Sequence, residues 1–247
     1  MDAREREVAE ALLNEIADQI DRKMGEFCRP AIVVYNWNGP PQTCFQRTAA
    51  GEIVVFLNVK TGWHHCQRIY QFAHEYCHVR TNFRDEGAGK KPRYLWMDEV
   101  FAQMTALWCL QELAARWVNG GSVPRAPEYA HHVTDYLNEC LSDVAIHPRG
   151  AEEFHAWVCS QQEALAADQY RRSSNQAIAA WLLPLFVKYP ELWRPLTKWN
   201  TWPILPPGSD VHDCFDAWFG MLEGVELEAA RRICTAIFGQ VGRPRPT

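Results

Sequence analysis

Residues 94–118, YLWMDEVFAQMTALWCLQELAARWV, read as one long buried helix, closed by Asn119-Gly120-Gly121, a strong stop signal. A helix that offers so few positions to water has to be enclosed by other elements. The flanking sequence supplies them. "AIVVYNW" (31–37) and "EIVVFLNV" (52–59) are β-branched and aromatic runs that predict strands. Between them "NGPPQTCFQRTAAG" has the Gly and Pro of a turn or loop, so a small antiparallel sheet is expected. Residues 3–24 place Val8, Leu12, Ile16 and Ile20 at helical spacing with charge on the other face. Residues 64–80 also read as helix, followed by the Gly- and charge-rich loop "NFRDEGAGKKPR".

Beyond residue 122 only helices are expected, roughly over 127–144, 151–170, 174–188 and 210–238. The Pro-rich breaks "YPELWRP" and "WPILPPGSD" separate the last of them. The strands all fall in the first quarter. The expected class is therefore α+β and predominantly helical, with a small antiparallel sheet near the N-terminus and a helical C-terminal half. The expected division is 1–121 and 122–247, with one shared core as the alternative. The 11 tryptophans suit core and inter-helix packing. "KYPELWRPLTKWNTWPILPP" would serve a protein interface if its aromatics were exposed. The favoured reading is a Pro-broken connection whose Trp residues fill the core.

A net charge of −5 and a pI near 6.0 exclude a general electrostatic pull toward nucleic acid. The nine cysteines are scattered and form no C-x-x-C. The N-terminus lacks the apolar run of a signal peptide, and no apolar stretch approaches the length of a membrane span. Free thiols in a cytoplasmic protein are expected.

"QFAHEYCHVR" (71–80) bears on function most directly. Positions i and i+4 share a helix face, so His74 and His78 can bind one ion together. Glu75 follows the first histidine, where it can reach a water on that ion without itself binding the metal. This is the H-E-x-x-H arrangement. Zinc lowers the pKa of bound water to about 7, and the glutamate would act as general base. Short motifs also arise by chance. Here, however, Ile69, Phe72, Tyr76 and Val79 give the helix a separate core side, and a strand precedes it.

Catalytic zinc wants three protein ligands and an open position. Glu99 lies 21 residues after His78 on the next strong helix, with the small Ala102 one turn on. Asp98 is its main rival, better suited to an outer hydrogen-bonding role or a helix cap. His131, His132, His147 and His155 are further alternatives. Tyr94, Tyr136 and several of these histidines have the chemistry of an oxyanion donor, and spacing does not choose among them. Cys77, inside the motif, reads as a small packing residue rather than a redox switch.

The strand "EIVVFLN", the helix "CQRIYQFAHEYCH" and the later E-x-x-A at Glu99–Ala102 resemble the ImmA/IrrE-like metallopeptidases, within the gluzincin group. The resemblance covers residues 52–110, about a quarter of the chain. It implies a zincin-type active-site helix, zinc held by His74, His78 and Glu99, and Glu75 as general base. Cys77 stands where the family usually has glycine, and the helical C-terminal part has no counterpart in it. The expected function is a cytoplasmic zinc metallopeptidase acting on a protein or peptide, without direct nucleic-acid or membrane partners. The alternative is a zinc-containing regulatory or binding protein with little turnover, recognising a partner through its helical half.

Overall fold

The computed structural model describes residues 3–59, 64–82, 94–206 and 208–240. The loop expected over 82–93 lies outside the described residues except for Asn82. The chain divides into two compact units, Met1–Val79 with Thr105–Ser142 and Arg80–Met104 with Asp143–Thr247. The class is α+β and predominantly helical, with three short strands near the N-terminus and a helical C-terminal half. Among the described residues no helix is long and apolar enough to cross a membrane.

In the first unit, α1 (Ala3–Met24) buries Val8, Leu12, Ile16 and Ile20, the stripe expected from their spacing. It stops at Gly25, whose φ of 99° lets its N–H return to Asp21 at 2.8 Å. Three strands follow, β1 (Ile32–Asn36), β2 (Gln42–Cys44) and β3 (Ile53–Leu57), in the order β1-β3-β2. The sheet is mixed, which corrects the antiparallel expectation. β1 pairs with β3 in parallel, Ile32 opposite Ile53 and Asn36 opposite Leu57, and only β2 runs antiparallel to β3. The reason is that β2 lies inside the stretch read as a loop. It reverses the chain once more, and two reversals leave β1 and β3 pointing the same way.

Helix α2 (His65–Arg80) buries Ile69, Phe72, Tyr76 and Val79 as its core face. Two features fix it within this unit. The Tyr76 hydroxyl donates to Asp21 of α1 at 2.8 Å. After β3, the Asn58 N–H donates to Gln71 Oε1 at 2.8 Å, and Gln71 Nε2 donates back to the Asn58 carbonyl at 3.0 Å. Cys77 is fully buried and its sulfur accepts from the Thr105 hydroxyl at 3.3 Å, so it packs the helix. Helix α3 (Trp96–Trp117) is continuous, and the division between units falls within it, after Met104. Helix α4 (Ala126–Ser142) turns Ala130, Val133, Leu137 and Cys140 inward.

The second unit holds the start of α3, then α5 (Ala151–Ala167), α6 (Arg172–Lys188), 3-10 turns at Pro190–Leu192 and Arg194–Lys198, α7 (Val211–Phe219) and α8 (Gly224–Phe238). The single helix expected over 210–238 is two. α7 opens on a capping box between Asp210 and Asp213 and ends at Gly220, and Gly224 takes a positive φ of 52° before α8. The Pro-broken segment fills the core. Trp193, Trp199 and Trp202 are all buried, and Trp199 meets Phe101, Trp202 and Trp218 at ring-centroid distances of 4.9, 5.0 and 4.9 Å. Buried indoles need acceptors for their N–H groups. Trp193 donates to the Phe186 carbonyl at 3.2 Å and Trp218 to the Pro195 carbonyl at 3.0 Å.

Candidate metal centre

α2 places His74 and His78 one turn apart, and their rings stand at 81° with Nε2 atoms 3.3 Å apart. Two ring nitrogens this close share either a proton or a cation. Two donors about 2.0–2.1 Å from one tetrahedral zinc stand about 3.3 Å apart, so the spacing suits a shared ion. A carboxylate oxygen of Glu99, in the first turn of α3, completes the group: the three ligand atoms all lie within 4.8 Å of one another. Among the described residues no other cluster of three histidine, cysteine or acidic side chains meets this spacing. The group can hold a metal ion. Two imidazoles and one carboxylate suit a transition metal and supply too few oxygens for calcium. His78 and Glu99 are buried and His74 is partly exposed.

Glu75 is 3% exposed and stands outside the ligand group. Its carboxylate accepts a hydrogen bond from the Thr43 hydroxyl at 2.9 Å. Thr43 sits on β2, so the sheet holds the glutamate in place. Sequence reasoning missed Thr43, because a three-residue strand between Pro41 and Phe45 carries no periodicity to read.

Asp98, the rival ligand, is not in the cluster. It is wholly buried, and its Oδ1 accepts from Trp199 Nε1 at 3.1 Å and Asn200 Nδ2 at 2.5 Å. Burial pushes its carboxyl up to about 8 against the hydrogen bond from Asn200, and the neighbouring Glu99 charge pushes the same way as burial. The adjacent acids thus part company. Glu99 joins the histidines, and Asp98 turns to indole and amide donors that no spacing rule in the sequence pointed to. Ala102, one turn beyond Glu99, is fully buried.

The later histidines stand elsewhere. His131 and His132 lie on exposed positions of α4 with their rings 3.8 Å apart, and His147 is exposed. His155 lies against the Ala236 carbonyl at 3.3 Å. Tyr94 packs against Trp202 and Tyr136 against Tyr70. Compared with protein-family models, curated proteins and solved structures, the chain has no significant match in any of the three.

Proposed function

We propose that this chain is a zinc-dependent metallopeptidase of the gluzincin type, similar to the ImmA/IrrE-like group. It hydrolyses a protein or peptide amide bond in the cytoplasm. One observation carries the reading: His74, His78 and Glu99 bring three ligand atoms within 4.8 Å, with the His pair at 3.3 Å. When bound, zinc supplies a Lewis acid that makes water acidic enough to deprotonate near pH 7. Glu75 is the general base. It takes the proton of the attacking water and returns it to the leaving amine. Thr43 holds that carboxylate through its 2.9 Å hydrogen bond, limiting the rotamers Glu75 can adopt.

The burial of Glu75, His78 and Glu99 favours a second reading, a zinc-containing regulatory or binding protein with little turnover. Glu75→Gln separates the two. Wild type should carry about one zinc per chain and cleave members of a peptide pool, scored by mass spectrometry. The variant should keep its zinc and lose cleavage by roughly 100- to 10,000-fold. Cleavage at the wild-type rate in the variant would remove Glu75 from the chemistry. Zinc-loaded wild type that cleaves nothing would favour the second reading.

A further inference from the structure

Two asparagines outside helices and strands have left-handed backbones, Asn82 at φ 54° and Asn200 at φ 63°. Non-glycine residues enter this region rarely, asparagine most readily among them. Each amide crosses to the other's segment. Asn82 Nδ2 donates to the Thr197 carbonyl at 2.9 Å and to the Trp199 carbonyl at 3.1 Å. Asn200 Nδ2 lies 3.3 Å from the Thr81 carbonyl and 2.5 Å from Asp98 Oδ1. All these residues belong to the second unit.

The two points tied together matter because of what stands beside them in sequence. Thr81 directly follows α2, three residues beyond His78, and Asp98 immediately precedes Glu99. In sequence, 16 residues separate Thr81 from Asp98, too many for the covalent chain to fix one against the other. Asn200 bridges that gap with a single buried amide, and the Trp199 indole adds a second bond to the same carboxylate.

We propose that Asn200, aided by Trp199, is a positioning residue of the metal centre. It clasps Thr81, the residue after α2, to the first turn of α3, which carries the candidate ligand Glu99. The proposal rests on the metal reading above, and it gives the C-terminal half a role that does not require it to bind a partner. The Asn200 amide bonds to Thr81 and Asp98 rather than to the candidate ligands. It acts through Thr81 and Asp98.

The decisive variant is Asn200→Gly, which tolerates φ 63° and removes only the amide. Ile233→Ala, a cavity in the same unit at a fully buried position of α8, serves as a control for general destabilisation. Zinc affinity is measured by chelator competition on full-length protein, with thermal melts of the metal-free forms alongside. The expected result is a loss of about tenfold or more in zinc affinity for Asn200→Gly, in the range seen for outer partners of metal ligands. Ile233→Ala should lower the melting temperature and keep wild-type affinity. Trp199→Phe, which removes the indole N–H and keeps a ring, should weaken zinc in the same direction. Wild-type affinity in both Asn200→Gly and Trp199→Phe would overturn the clasp while leaving the metal reading intact. Equal losses in Asn200→Gly and Ile233→Ala would also overturn it. A wild-type protein that binds no zinc would overturn both readings.

Discussion

Helix α2 keeps a graded surface. Cys66, Gln67, Gln71 and His74 retain exposure, while Ile69, Phe72, Tyr76 and Val79 are buried. Helix α3 is buried at every position from Trp96 to Leu110. Each contributes to the group that could hold a metal ion, so the contrast shows two ways of placing a polar side chain. On α2 the histidine spacing follows from 3.6-residue periodicity alone, and any well-formed helix reproduces it. At the start of α3 there is no polar face to set direction. Adjacent acids there point to different surroundings, and each needs its own buried partners. Asp98 finds them in Trp199 and Asn200.

If that contrast is right, the α3 start should depend more heavily on remote residues than α2 does. Trp199→Ala should be the most damaging change, costing about 3–5 kcal/mol in urea unfolding, from the lost aromatic packing and a stranded Asp98. A loss below about 1 kcal/mol would show that the first turn of α3 stands without its tryptophan. Glu99→Ala should weaken zinc by more than about 100-fold, or roughly 2.7 kcal/mol, in a competition titration. Zinc retained at wild-type affinity would move the third ligand elsewhere and end the comparison.

The next test probes the N-terminal turn of α2, where His65 is buried edge-on against Tyr129 and Trp117 at 5.0 and 6.1 Å. Burial, with the positive charges of Arg68 and His64, lowers its pKa from 6.5 to about 4. The unfolded chain therefore takes up a proton below pH 6.5 that the native state refuses until about pH 4. Stability should be fully present above pH 6.5 and fall, on the order of 3 kcal/mol, as the pH drops through that window. His65→Phe keeps the ring packing and should flatten this part of the profile in metal-free protein. An unchanged profile would mean that His65 does not carry it. The smallest expected effect is Tyr76→Phe, which removes the hydroxyl bonded to Asp21 and should cost about 1–2 kcal/mol in denaturant titration.

Much of this architecture was readable from local pattern. The α1 stripe, the core face of α2, the burial of α3 and the placing of the tryptophans all follow from spacing and composition, because amphipathic and apolar helices announce themselves over several turns. Length decided what escaped. β2 is three residues long, and without it the sequence predicts an antiparallel sheet where β1 and β3 in fact pair in parallel. The break between α7 and α8 hangs on the backbone of Gly224, an isolated glycine that a helical pattern tolerates.

At the candidate metal centre the division is equally plain. The amino-acid order alone sets His74, Glu75 and His78 on neighbouring positions of one helix, since their geometry is contained in a single turn. The choice of Glu99 over Asp98 belongs to the tertiary structure. Adjacent residues on a helix differ by about 100° in direction, and which of them joins the histidines depends on where distant partners lie. Thr43, Trp199 and Asn200 come from segments far from the motif in sequence. Their hydrogen bonds exist only after the chain has folded, and no spacing rule encodes a contact across such separations.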